Sequence, residues 1–189
     1  MKILIVGLGA IGSHVALALR NIDAELTLCD FDVIEHKNTQ AQFHLAKDVR
    51  KKKATSLRGS LYGLFGVKCY TDPVKVTDEN VLYVVDGMDL VLDCTDNIAA
   101  RQTLMSGCGG LKIELLHGAM SADGTFAQVT WTEQFTPDAE TGSGVTCEDG
   151  ENLPFHMMVG SCMAIAVQQF INDAKRDSYF ITPTGITRR

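Results

Sequence analysis

The chain has 189 residues, 46% of them hydrophobic, which suits one domain with a buried core. Its formal net charge is −6 and no basic block is large enough for a nucleic-acid footprint, which excludes nucleic acid as an expected partner. No apolar stretch reads as membrane-spanning, and the N-terminus enters a strand and glycine turn without a cleavage site, which argues against a membrane partner and a signal peptide.

The first residues, MKILIVGLGAIGS, run from an apolar strand into Gly7, Gly9 and Gly12 and then into a helical pattern over Ile11 to Ile22. A strand, a tight glycine turn and a helix start form a place where backbone comes close to phosphate, with N–H groups and the helix dipole favouring its charge. Alone the motif indicates a nucleotide only loosely, and a tight turn without a ligand is the competing reading. Glu25 to Phe31 forms a second strand, and Asp30 at its end is placed either to accept from ribose hydroxyls or to cap a turn.

Residues 31–49 make a polar connector too long for a simple turn, and ordered connectors of this length are often functional. A helix over Val49 to Leu64 ends at Gly66, and the cationic run Arg50-Lys51-Lys52-Lys53 on it reads as a solvated face. A strand follows at Val67 to Tyr70, and Thr77 has the look of a helix cap. Asp89 to Thr95 is a continuous apolar run, the pattern of a strand buried on both faces. A helix from Asn97 to about Cys108 is expected to stop at Gly107, Gly109 and Gly110. Lys112 to Met120 and Thr125 to Thr132 then read as two strands around an Asp123-Gly124 hairpin.

Residues 133–153 are polar, acidic and rich in Gly and Thr, the composition of a mobile loop. Pro154 to Ile171 is a helix with an apolar centre, expected to be buried and in part to face another subunit. Tyr179 to Ile181 is a short strand. No domain boundary is visible, so residues 1–189 read as a single domain. The six cysteines (Cys29, Cys69, Cys94, Cys108, Cys147, Cys162) include no C-x-x-C pair. That pattern fits free thiols in a reducing cytoplasm, and no structural zinc is expected. His117 and His156 are lone histidines that read as core or surface residues.

Two further segments make the glycine turn specific. Cys29-Asp30-Phe31-Asp32 leads through Asn38 to Gln42, and Asp93-Cys94-Thr95-Asp96-Asn97 is followed four residues later by Arg101. In this order the three blocks resemble the ThiF/MoeB/ubiquitin-activating-enzyme superfamily over about residues 1–130. The implied fold is α/β and Rossmann-like: a mostly parallel central sheet with helices on both faces and antiparallel strands towards the C-terminal part. The implied activity is ATP-dependent adenylyl transfer to a carboxylate, usually the C-terminus of a ubiquitin-like or sulfur-carrier protein or of a peptide, with magnesium, in a homodimer or heterodimer. A polyanion attacked by an anion demands cations, donors and a metal.

Carried over by position, Gly7, Gly9 and Gly12 approach the phosphates, and Asp30, with Asp32 beside it, takes the nucleoside. Asn38 and Gln42 match polar phosphate-loop positions, Lys53 neutralises phosphate charge, and Asp96 holds magnesium. Asn97 and Arg101 fix the local geometry, with Arg101 shared between a cofactor contact and a structural ion pair. Lys52 competes with Lys53 for the lysine role, and Asp96 is also a good helix cap. Cys147, in the acidic loop, occupies roughly the region where some relatives place a thioester-forming cysteine, although Glu148 and Asp149 would raise its pKa.

Three departures stand out. Ala41 occupies the position of an arginine that contacts the triphosphate, a loss of roughly 2–4 kcal/mol of transition-state stabilisation. The chain starts at the first strand, without the helices from which family dimers donate a second arginine, and it lacks paired C-x-x-C motifs. A catalytically impaired nucleotide-binding partner is therefore the alternative to an active enzyme. A dehydrogenase-like NAD binder also uses G-x-G-x-x-G but has no role for the block around Asp96.

Overall fold

The computed structural model describes residues 1–135 and 150–189. Five strands pair in parallel: β1 (Lys2–Val6), β2 (Glu25–Cys29), β3 (Cys69–Asp72), β4 (Leu90–Asp93) and β5 (Glu114–Met120). Three antiparallel strands, β6 (Ala127–Trp131), β7 (Tyr179–Thr182) and β8 (Gly185–Arg188), extend the same sheet in the order β3-β2-β1-β4-β5-β6-β7-β8. The expected α/β architecture, parallel at first and antiparallel towards the C-terminus, is the one observed.

The period-2 geometry of a strand divides the apolar run of β1 between two cores. Ile3 and Ile5 join Leu26, Leu28, Leu90 and Leu92 on one face of the sheet. Leu4 and Val6 join Cys29, Val91 and Leu115 on the other. The first face is covered by α1 (Gly12–Ala18), α3 (Lys53–Phe65) and α6 (Leu153–Asp173), the second by α4 (Val81–Val85) and α5 (Ile98–Leu111). Each fully buried aliphatic side chain contributes about 1.5–3 kcal/mol, so continuous burial on both faces fixes the sheet.

Several elements differ from expectation. The first helix ends at Ala18 rather than Ile22, because Arg20 Nη1 donates to the Leu17 carbonyl at 2.9 Å and the chain tightens into turns. Helix α3 starts at Lys53, since Arg50 adopts a left-handed φ of 74°. The cationic run is therefore not one solvated helix face: Lys51 and Lys52 are exposed in the approach, while Lys53, the first residue of α3, is buried. At the other end Gly66, φ 72°, closes α3 as expected.

Helix α5 runs through Gly107, Gly109 and Gly110 to Leu111 instead of stopping at them. Gly107 is needed there for close packing, since a Cβ would lie 2.4 Å from Val81 Cγ2 on α4. Thr77 caps nothing: Asn80 Oδ1 accepts from the Thr77 amide at 2.8 Å and α4 starts at Val81. Strand β3 lies two residues later than expected, and β8 is an element that sequence reading missed.

Helix α6 is the buried apolar helix expected from Pro154 onwards, and it packs on α1, β5, β6 and β7. With 21 residues and a mean hydropathy of 1.2 in its most apolar window it is, by length and composition, long and apolar enough to cross a membrane, which the sequence reading had excluded for any segment. Half of that window is buried inside the protein. Its Gly160 lets α1 approach, with a Cβ placed 3.0 Å from His14 Cβ.

Candidate functional site

The order of the strands reverses at β1, with β2 on one side and β4 on the other, and their C-terminal ends are level: Val6 pairs with both Cys29 and Asp93. Ligands of such sheets bind in the crevice outside this reversal. The glycine turn, Asp30 and the 93–96 segment all leave the sheet there.

Gly7 and Gly12 are dictated by the turn itself. Gly7 has φ 85°, and a Cβ would lie 2.8 Å from the Cys94 carbonyl oxygen; at Gly12 it would lie 1.8 Å from Gly7 O. Gly9 is different. A Cβ there would meet only Gln42 Nε2, at 4.0 Å, so nothing within the protein forbids a side chain. Among the described residues, the amides of Gly9, Ala10 and Ile11 have no acceptor. An open approach lined by free N–H groups fits a phosphate.

Asp30 is buried, and both carboxylate oxygens are engaged. Oδ2 accepts from the Leu8 amide at 2.7 Å, and Oδ1 from the Asp32 amide at 2.8 Å. The turn-capping role is thus present, and lone pairs remain on both oxygens for a further donor. Lys53, the first residue of α3, sends its buried ammonium to Asp32 Oδ2 at 3.2 Å. Lys52 is exposed and donates to the Phe31 carbonyl. Of the two lysines, Lys53 is the buried one, and its charge acts on His44, which bonds to the Leu8 carbonyl.

The 31–49 connector folds over the turn through the short helix α2 (Asn38–Ala41). Asn38 is buried and accepts from the Glu35 amide at 2.8 Å, fixing the start of that helix. Ser13 Oγ accepts from the Phe43 amide at 2.9 Å, while His14 Nε2 and His44 Nε2 bond to the carbonyls of Ala41 and Leu8 at 3.1 and 2.8 Å. Ala41 is fully buried. Sequence reading missed both histidines, because nothing in their spacing announces that α1 and the connector meet.

Three buried polar atoms in this cluster have no partner among the described residues: His14 Nδ1, Gln42 Oε1 and His44 Nδ1. Native proteins pair more than nine in ten such groups, so three among residues that meet at one turn stand out. Burial, only partly opposed by the hydrogen bonds to Ala41 and Leu8, lowers the pKa of both histidines.

A second buried cluster lies at the end of β4. Asp93 is fully buried; Oδ2 accepts from His117 Nδ1 at 2.7 Å and from Arg101 Nη1 at 3.4 Å, and Oδ1 accepts from Thr95 N and Oγ1 at 2.9 and 2.6 Å. Burial pushes against ionisation, but the His117 bond and the Arg101 charge prevail and hold this carboxyl below the usual carboxylate range. Arg101 also donates to the carbonyls of Thr95 and Gly118, which points its guanidinium into the protein. His117 is a core histidine, stacked on Phe135 with ring centroids 4.1 Å apart.

This network shapes the loop that carries Asp96, whose side chain is exposed. The helix after it is capped by Asn97, whose Oδ1 accepts from the Ala100 amide at 2.8 Å. The capping alternative for Asp96 thus falls to its neighbour. Among the described residues no group of three His, Cys, Asp or Glu side chains converges on one point. A lone carboxylate fits an ion held mostly by phosphate oxygens and water, the habit of magnesium.

Both cysteines at the mouth, Cys29 and Cys94, are buried. Burial is the main force pushing Cys29 up to about 12 and Cys94 higher still. Cys147 lies outside the described residues, as does most of the acidic loop. A groove of about 730 Å³ between residues 45–52 and α3 takes in Lys52 but neither Lys53 nor the residues of the glycine turn.

The chain matches the ThiF family model over residues 1–182. It is 37% identical over 122 residues to the molybdopterin-synthase adenylyltransferase of Escherichia coli (strain K12), covering 62% of this chain and 49% of that protein. It is 32% identical over 179 residues to the adenylyltransferase and sulfurtransferase UBA4 of Lodderomyces elongisporus, covering 87% of this chain and 39% of that protein. The chain thus spans about half the length, or less, of the curated relatives it matches. The crystal structure of E. coli MccB with ATP superposes with a TM-score of 0.77 over the whole chain and 62% of MccB; at 18% identity this likeness is one of fold. With nearly its full length matched to one family model, and with that family's glycine turn opening onto the strand reversal, the chain belongs to the ThiF family.

Proposed function

We propose that the chain is an ATP-dependent adenylyltransferase that activates a carboxylate, with ATP bound at the glycine turn. The observation that carries this reading is the cluster around Gly9: open backbone amides, Asp30 bonded to the Leu8 amide, Lys53 paired with Asp32, and three buried polar atoms without partners among the described residues, close to the mouth of β1, β2 and β4.

The amides of Gly9 to Ile11 bind phosphate oxygens, and Asp30 accepts from the ribose while keeping the turn in place through Leu8. Lys53, released in part from Asp32, offsets phosphate charge. Asn38 holds the connector over the turn, and Gln42 contributes its amide. A substrate carboxylate oxygen attacks the α-phosphorus; the new P–O bond forms as the bond to pyrophosphate breaks, and the acyl-adenylate results. Asp96 would hold magnesium, which would supply charge neutralisation there. Asp93, His117 and Arg101 set the position of the Asp96 loop.

The substrate is a C-terminal carboxylate of a small ubiquitin-like or sulfur-carrier protein or of a peptide. The relatives named for molybdopterin synthase adenylylation and sulfur transfer support that class. Five free cysteines among the described residues agree with a reducing cytoplasm. A homodimer or heterodimer is the expected assembly.

ATP–pyrophosphate exchange with a candidate carrier protein ending in Gly-Gly tests the reading. Exchange is expected with the natural chain, and Asp96→Ala should abolish it with the unfolding midpoint unchanged. Absence of ATP binding by calorimetry would refute it. Ala41, buried and without charge at the position of the family's arginine, favours a second reading: a nucleotide-binding partner of an active relative. That reading expects ATP binding without exchange until the relative is added.

A further inference from the structure

The two imidazoles in the site have a chemistry that the adenylation scheme leaves unused. His14 and His44 are each more than nine-tenths buried. Each uses Nε2–H on a backbone carbonyl, which leaves Nδ1 as a lone pair. Both Nδ1 atoms are buried and unpartnered, as is Oε1 of Gln42 between them in sequence. An unpaired acceptor is a poor neighbour for a polyanion. A protonated Nδ1 is a good one.

The charge around the turn is short of what a triphosphate needs. Lys53 is already paired with Asp32, Asp30 adds a carboxylate, and Arg101 is bound to Asp93. The groups facing His44 are Lys53 from α3, Asp30 from the end of β2 and His14 from α1. Against His14, α6 places Gly160, with the buried His156 one turn earlier on that helix. Lys53 and a charged His14 both disfavour an imidazolium at position 44, and Asp30 favours one. Two imidazolium ions side by side repel, so the pair has room for one added proton.

We propose that His14 and His44 form a proton-uptake site: when a nucleoside triphosphate occupies the glycine turn, one proton from solvent adds to Nδ1 of His44, and the imidazolium donates to a phosphate oxygen directly or through one water. No bond of the nucleotide changes in this step. The free protein keeps both rings neutral at pH 7, because burial disfavours the charged form, and the bound polyanion reverses that balance. The inference rests on the nucleotide reading above.

Calorimetric titration of ATP in buffers of different ionisation enthalpy, on the natural chain and on His44→Gln, measures proton uptake apart from affinity. Glutamine can still donate to the Leu8 carbonyl. The natural chain should take up close to one proton more per ATP at pH 7 than the variant. Its ATP affinity, relative to the variant, should rise by up to tenfold for each pH unit lowered between pH 8 and 6. The titration of ATP itself is common to both proteins and cancels. In the natural chain, nitrogen NMR of the histidine rings should show His44 Nδ1 becoming protonated when ATP is added at pH 7, a readout that holds even if the variant fails to fold. ATP binding with equal proton uptake in the two proteins, or with Nδ1 still unprotonated, would overturn the inference and leave the nucleotide reading standing. No ATP binding at all would overturn both.

Discussion

Two buried polar clusters sit within a few strands of each other and are finished to different degrees. Around Asp93 the carboxylate oxygens hold His117, Arg101 and Thr95, and the outer nitrogen of His117 meets Thr132 Oγ1 at 3.1 Å. Around Gly9 the histidines and Gln42 keep three buried atoms unpaired. A closed network adds rigidity; an open one costs stability. Residues of similar chemistry therefore differ in their partners: His117 and Arg101 are engaged by Asp93, whereas His14 and His44 each keep a ring nitrogen unpaired among the described residues.

The contrast can be broken in graded steps. The largest effect is expected from Gly12→Ala, whose methyl carbon would lie 1.8 Å from a backbone oxygen; the chain should fail to fold, visible as loss of cooperative unfolding. Asp93→Ala opens the closed cluster and leaves a buried guanidinium without its counter-charge, at a cost of about 3–5 kcal/mol in denaturant unfolding at pH 7. Because the Asp93 carboxyl is depressed in the folded state, its contribution is full above the unfolded value of about 3.9 and disappears as pH falls through the lower folded value. The natural chain and the variant should thus converge in stability at strongly acid pH. Asn97→Ala removes one cap and should cost about 1 kcal/mol. Gly9→Ala comes last on this scale: stability should move by less than about 0.5 kcal/mol, since no protein atom contests the space. ATP affinity measured by calorimetry should nonetheless fall at least tenfold, and an unchanged affinity would mean that the turn holds no phosphate.

Much of this was legible in the residues. The apolar run of β1, the glycine turn and the apolar segment before Asp96 depend on near neighbours, and periodicity reports near neighbours faithfully. Lys53 and Asp30 could be named because a motif fixes their place. What escaped notice is what long-range packing decides. Gly107 looks like a helix stop until Val81 is seen against it. His117 looks like an isolated histidine until parallel pairing sets it beside Asp93. His14 and His44 are thirty residues apart, and only the connector folding back onto α1 makes them a pair. Strand β8 lies among Thr, Gly and Arg residues with no alternating pattern and is held by its pairing with β7.

The place of β1 in the sheet also sets a constraint on how the chain is made. It is synthesised before β2 and β4, yet it stands between them, and one of them is far away: the Lys2 amide is bonded to Asp89, 87 residues later, at 2.7 Å. Until β4 has emerged, β1 presents an unpaired row of backbone groups flanked by Ile3, Leu4, Ile5 and Val6. A bare apolar edge of that kind invites pairing with another chain. A nascent or truncated polypeptide that stops short of residue 90 therefore leaves bare a strand that the finished sheet pairs on both edges and buries on both faces, and it is a form in need of a chaperone.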